Sequence, residues 1–182
     1  MKNKNAQMEM SVGTIVTIVL LVTLLILGIV LIKNIFTSAK GVVDLTDEQL
    51  RNEVNKLFSE DSKISIYPGT RMLEIKQEST DGVGFGIKNL QEGVSGENTF
   101  SYAVSASDVS DCGVTKEVAE DWITVGQAEE DLAIPVGDAI VRKVLFRIPV
   151  GAPLCTARFK VEVKVGATNY ASDFFDLTIK AK

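Results

Sequence analysis

The sequence predicts a mainly β protein: one N-terminal transmembrane α-helix, a short stem helix, then an antiparallel β-sandwich. Three observations carry this. Val12 to Ile32 is a run of 21 residues without a charge, 16 of them Val, Ile or Leu. Residues 44–61, DLTDEQLRNEVNKLFSED, combine helix-capping signals with apolar spacing at a helical period. From Lys63 onward, apolar and polar residues alternate at a period of two, in short runs parted by turn residues.

As a helix the apolar run is about 31 Å long, matching a hydrocarbon core of about 30 Å. Its aliphatic residues favour insertion by about 5–10 kcal/mol, an upper bound because off-centre positions count less. The run has no polar face, which a soluble surface helix of this length requires. It is also too long for the apolar core of a cleavable secretory signal, about 7–15 residues, and TSAK behind it is a poor cut site. Retention of the span is expected. Lys2 and Lys4 precede it and acidic residues dominate after it, so the N-terminus is expected in the cytoplasm and the body outside, with Lys33 and Lys40 behind the span weighing slightly against this. Gly13, Thr17 and Gly28 fall within about 60° on one side of the helix, a stripe of small residues where a second helix can approach. Gly and Thr are also common in membrane helices generally, and that plainer reading is favoured.

The N-terminal residues KNKNA followed by QMEMSVGTIVTIVLLVTLLILGIVLI resemble the start of an archaeal type IV pilin or archaellin precursor. The resemblance covers about 30 residues and includes the segment SVGTIV. It implies a short basic leader cut between Ala6 and Gln7, with the apolar helix left on the mature chain. It also implies a homo-oligomeric filament whose core is that helix. The chain departs from the pilin pattern at Glu9, which is third after such a cut, where pilins place glutamate fifth. Glu9 is therefore read as an interfacial charge at the cytoplasmic end of the span.

In the stem, Thr46 and Gln49 are spaced as a capping box, and Leu45 and Leu50 as a hydrophobic staple. Asp47 and Glu48 lie in the first turn, where the helix dipole favours them. Leu50, Val54, Leu57 and Phe58 form an apolar face, expected to pack on the following domain or on a neighbouring subunit. Gly41 separates this helix from the span as a break or a hinge.

The body reads as about eight short strands. KISIYPGTRMLEIKQ gives two around Pro68-Gly69. VGFGIKN turns Val83, Phe85 and Ile87 to one face; TFSYAVSA does the same with Phe100, Tyr102, Val104 and Ala106. DWITV and DLAIP are short candidates. VRKVLFRIP places Val144, Phe146 and Ile148 inward. ARFKVEVKV places Ala157, Phe159, Val161, Val163 and Val165 inward, and FFDLTIK closes with Phe175, Leu177 and Ile179. One apolar and one solvated face per strand is the signature of an antiparallel sandwich. The run RKVLFRIPVGAPLCTARFKVEVKV…FFDLTIK resembles immunoglobulin-like surface domains of the cell-adhesion CARDB type, where a strand ending in Pro leads through a short turn into a long alternating strand. The resemblance spans most of residues 83–180 and implies an immunoglobulin-like β-sandwich. The expected organisation is a basic leader over 1–10, the membrane helix over 11–36, a stem over 37–62 and the sandwich over 63–182.

Composition narrows function. Of 19 basic and 24 acidic residues, four lysines and Glu9 lie in residues 1–40; the remaining 15 basic and 23 acidic give the rest a net charge of −8. Such a body is a poor partner for nucleic acid. The absence of histidine removes the commonest general base, the Ser-His and Cys-His pairs and most catalytic zinc sites. No catalytic residue, cofactor, metal or small-molecule substrate is assigned. GVGFG (Gly82, Gly84, Gly86) lacks the spacing and context of a phosphate loop; its glycines are expected to mark a bulge or a close approach of the stem helix. Asp108, Ser110 and Asp111 offer oxygen ligands for calcium but no EF-hand pattern, and read as a solvated loop. Trp122 is expected in the core or at an edge of the sandwich. Cys112 and Cys155 lie in loop-like contexts, and in a domain outside the cytoplasm they are expected to pair, with two buried free thiols as the alternative. The expected function is a non-catalytic, single-pass, membrane-anchored surface protein. A filament subunit is the second reading, and a tethered enzyme finds no motif to support it.

Overall fold

The computed structural model describes residues 4–37, 41–91 and 97–182, with side chains over 13–30, 41–91 and 99–182. The chain divides into two compact units, Met1–Lys40 and Gly41–Lys182. The first is one helix, α1 (Lys4–Thr37, 34 residues). The second begins with a 3-10 turn, Val42–Asp44, and continues into α2 (Asp47–Leu57). The capping box forms as predicted: the Thr46 hydroxyl accepts from Gln49 N–H at 3.3 Å, and the Gln49 side chain accepts from Thr46 N–H at 3.1 Å.

Among the described residues there are nine strands: β1 (Ile64–Tyr67), β2 (Met72–Lys76), β3 (Thr80–Lys88), β4 (Glu97–Asp108), β5 (Ile123–Val125), β6 (Ala128–Pro135), β7 (Ala139–Arg147), β8 (Thr156–Val165) and β9 (Thr168–Lys180). A short helix, α3 (Lys116–Glu120), lies between β4 and β5. One sheet has the order β1-β3-β7-β5 and the other β2-β9-β8-β4-β6. These are the ABED and GFC arrangements of an immunoglobulin-like sandwich, with a strand added at each edge of the second sheet.

Every inward residue predicted on β3, β4, β7, β8 and β9 is buried, apart from the half-buried Val165. Period-two alternation fixes a strand's buried face once one sheet face is covered, which is why these residues were readable. Phe146 of one sheet meets Phe159 and Phe175 of the other at ring-centroid distances of 4.9 and 5.9 Å, and these edge-to-face contacts knit the two sheets. Trp122 belongs to the core, with 4% of its surface exposed.

Two features depart from the predicted regularity. β2 pairs with β9 in parallel, Met72 opposite Asp176 through Lys76 opposite Lys180. The chain reaches that edge by leaving the first sheet after β1 at Pro68, whose peptide bond with Tyr67 is cis. β5 and β6 also lie on different sheets although two residues separate them; Gly126, at φ +77°, makes the crossing. A Cβ at Gly126 would lie 2.1 Å from the Lys143 carbonyl oxygen, so no other residue fits. On β6, Glu130 and Asp131 oppose the single residue Ser101 as a bulge, with Asp131 at φ +57°.

The two ends of the sandwich are distinct. β3 begins and β7 ends at the same end, because Thr80 pairs with Arg147. The connections Gln77–Ser79 and Ile148–Cys155 lie there, joined by bonds from Glu78 N–H to the Ile148 carbonyl at 3.0 Å and from Ile148 N–H to the Ser79 carbonyl at 3.1 Å. Gly41 sits at this end beside Asp81. Lys182 is there too, its ammonium paired with Glu78. The opposite end carries the β6–β7 turn (Val136–Asp138) and the β8–β9 hairpin at Gly166.

Candidate functional site

The chemistry-bearing features are a bare apolar helix, a stem clamped to the body, and a disulfide-tied loop end. Gly13–Val30 of α1 has the length and composition to cross a membrane, and none of it is buried. The helix satisfies its own polar groups. Thr17 donates its hydroxyl to the Gly13 carbonyl at 2.7 Å, and Thr23 to the Val19 carbonyl at 2.8 Å. Such back-bonding satisfies both hydroxyls within the helix itself. Gly13 and Gly28 have open space around them. Ala6, Gln7 and Glu9 lie within the backbone span of α1, and their side chains are outside the described residues.

The stem's apolar face is buried on the body. Leu50 and Val54 are buried, Phe58, Leu45 and Tyr67 pack around them, and Leu57 remains exposed. The GVGFG glycines explain the fit. A Cβ at Gly84 would sit 2.4 Å from Leu50 Cδ1, and one at Gly86 would sit 2.5 Å from Phe58 and 2.7 Å from Val54. A Cβ at Gly82 would fall 2.0 Å from the Val144 carbonyl oxygen, which excludes any other residue there. On β3, Val83, Phe85 and Ile87 fill the sandwich core. The alternating glycines form a trough on the reverse face, into which the helix settles. At the helix start, Lys143 of β7 bonds Asp47 at 3.0 Å. Leu50, Arg51 and residues 140–143 line a shallow groove of about 390 Å³ beside it.

Cys112 and Cys155 form a disulfide with Cα atoms 5.0 Å apart. It ties the 3-10 turn Ser110–Cys112 to the start of β8. In the same loop, Asp108 accepts from Ser110 N–H at 3.0 Å, and this backbone bond holds its carboxyl below the usual range. The Asp108–Asp111 segment is thus a side-chain-bonded turn, and no group of three His, Cys, Asp or Glu that could hold a metal occurs among the described residues.

Two polar arrangements were not readable in the sequence. Asn89, fully buried, donates to the Ile134 carbonyl at 2.8 Å and accepts from Gln91 N–H at 3.1 Å. Beside it the Tyr170 hydroxyl donates to the Lys88 carbonyl and accepts from Leu90 N–H. Together they fix the chain where β3 leaves the sheet. Across the sheets, Arg142 of β7 makes a two-pronged bond to Glu129 of β6, at 2.6 and 3.1 Å. Tyr102 lies against this pair and edge-on to Phe85 at 4.9 Å; burial first, and the neighbouring Glu129 carboxylate second, push its pKa up to about 12. A polar residue at a strand end reads as a turn signal, and a cross-sheet ion pair depends on register, so neither left a local signature.

These features define a class: a long apolar N-terminal helix followed by a disulfide-bonded, immunoglobulin-like β-sandwich. No family model matches the sequence, and no curated protein matches it. Solved structures match the fold remotely. A family 123 glycoside hydrolase from Clostridium perfringens matches with a TM-score of 0.39 and 11% identity, over 61% of this chain and 22% of that one. The ASH / PapD-like domain 7 of human CEP192 matches with a TM-score of 0.38 and 9% identity, over 69% of this chain and 93% of that one. The Pseudomonas fluorescens alkylpurine DNA glycosylase AlkC matches with a TM-score of 0.32 and 14% identity, over 71% of this chain and 34% of that one. At these identities the likeness carries no statement about activity or partner.

Proposed function

We propose that this chain is a non-catalytic surface protein, held by α1 as a single membrane span with its N-terminus in the cytoplasm and its sandwich outside. The observation that carries the reading is the fully unburied, charge-free stretch Gly13–Val30. In water, 18 such residues would form an apolar surface far larger than soluble proteins tolerate. The Cys112–Cys155 disulfide supports the topology, because such bonds persist in oxidising compartments. Lys2 and Lys4 before the span support the same orientation, while Lys33 and Lys40 after it partly offset them. The test is fractionation followed by protease treatment of intact cells. The chain should stay with membranes through an alkaline carbonate wash, and external protease should remove the body. Release by carbonate, or a body protected in intact cells, overturns the proposal.

A filament subunit is the second reading. It is favoured by the length of α1: a start at Gln7 would leave its residues 7–37, a helix of about 46 Å, more than a hydrocarbon core of about 30 Å requires. Such a helix has length to spare for packing against copies of itself. Mass spectrometry of the native chain separates the two readings. A mature start at Gln7, with the chain present in sheared fibres by electron microscopy, supports the filament; an intact Met1 or Lys2 removes it.

A further inference from the structure

The eight-residue connection between β7 and β8, Ile148–Cys155, has the sequence IPVGAPLC and contains no polar side chain. Connecting loops are ordinarily polar; here Ile148 and Ala152 are buried in the core, which leaves Val150 and Leu154 as the large apolar side chains turned outward. Val150 is 76% exposed and Leu154 60% exposed, the two most exposed large apolar residues of the body among those described. The loop is held in place. Gln77 donates to the Ala152 carbonyl at 2.6 Å, Ala152 N–H donates to the Pro149 carbonyl, and Cys155 is disulfide-bonded. Both exposed side chains are therefore displayed on a fixed turn.

The position of this turn identifies its occupant. It lies at the end of the sandwich where the chain enters at Gly41, next to Asp81, which pairs with Phe146 at the end of β7. Val43, half exposed, lies on the entry turn itself. The four peptide steps from Thr37 to Gly41 reach at most about 15 Å whatever path they take. The helix rises only about 7.5 Å between Ile32, where the apolar run ends, and Thr37. The headgroup layer is itself about 5–8 Å deep. The tether therefore limits how far Gly41 can stand from the lipid surface, and a contact too weak to recruit a free body becomes populated at the high effective concentration that a short tether imposes.

We propose that Val150 and Leu154, with Val43, form an apolar foot by which the body rests on the outer interface of the lipid bilayer. This rests on the membrane-anchored reading above. The net negative charge of the body leaves apolar contact, rather than attraction to anionic lipid, as the source of binding.

The test uses the full chain reconstituted into phosphatidylcholine liposomes, with acyl chains brominated near the carbonyl as the fluorescence quencher. Trp122, the single native tryptophan, is buried in the core and supplies the baseline. Val150→Trp and Leu154→Trp place a reporter on the foot. Val136→Trp places one in the turn at the other end of β7, nine residues or about 30 Å away. The expected result is at least twofold more quenching for the reporters at positions 150 and 154 than for the one at position 136, unchanged by added salt. Equal quenching at both ends, in chains that resist a carbonate wash, overturns the foot while leaving the anchor intact. Chains released by the wash overturn the anchor itself. A reporter at position 150 that is shielded from aqueous acrylamide but not quenched by lipid is covered by a second copy, which also overturns the proposal.

Discussion

Glycine at position 86 is a packing residue, because its hydrogen occupies the space where a side chain would strike both Val54 and Phe58. Gly86→Val should destabilise the full chain in detergent by about 1–3 kcal/mol, the usual cost of overpacking, measured by urea unfolding. Gly13→Ala, in open space, should change stability little. Tyr102 makes a second prediction at this scale. Its folded pKa of about 12 lies above the ordinary value of 10, so the neutral phenol is the form that the fold favours. The associated stability is fully present below pH 10 and is lost as pH rises toward 12. Absorbance titration of the folded protein should show Tyr102 ionising last, with Tyr67 also raised by burial, and Tyr102→Phe should remove the latest step. No sequence pattern announced this residue as special. Alternation placed Tyr102 on the buried face, but the proximity of Glu129 follows from a bulge and a cross-sheet bond to Arg142 that local spacing does not encode.

At the scale of elements, the disulfide is the feature most open to test. It closes a separation of 43 residues, for which chain entropy gives about 4 kcal/mol of stabilisation as an upper value. Cys112→Ser with Cys155→Ser should lower the unfolding free energy by up to that amount, read from urea denaturation, and the same loss should follow reduction of the wild-type chain. The stem and the long strands were legible because each carries its signal within a dozen residues: the Thr46–Gln49 box for α2, and strict alternation from Ala157 to Val165 for β8. The pairing of elements was less legible. Nothing local says that β2 runs parallel to β9, or that the chain changes sheets between β5 and β6. Those facts depend on two backbone crossings, at Pro68 and Gly126, whose sequence mark is a single residue each. The glycine trough lay between these extremes, since alternating glycines opposite buried Val83, Phe85 and Ile87 signalled a close neighbour, and the adjacent amphipathic helix was the available one.

For the whole molecule, the proposed orientation rests on the lysines that flank the apolar run. Lys2 and Lys4 stand before the apolar run, while the body has a net charge of −8. Replacing both lysines with glutamate should reduce the fraction of chains with an external body, measured as loss of cleavage by protease added to intact cells. The polar outer surface of the second sheet is self-neutralised. Arg158 bonds Asp176 at 2.8 Å, and Glu162 is held between Lys160 and Lys164. Exposed pairs of this kind contribute little stability, but they leave a face that is wettable and nearly balanced.

The placement of Lys182 and Gly41 at one end of the sandwich has a practical consequence for imaging and display. A fluorescent protein or epitope appended after Lys182 begins at the same crowded end as the tether. One inserted between Gly166 and Ala167, in the β8–β9 hairpin, begins a full strand length away, at the opposite end of the sandwich.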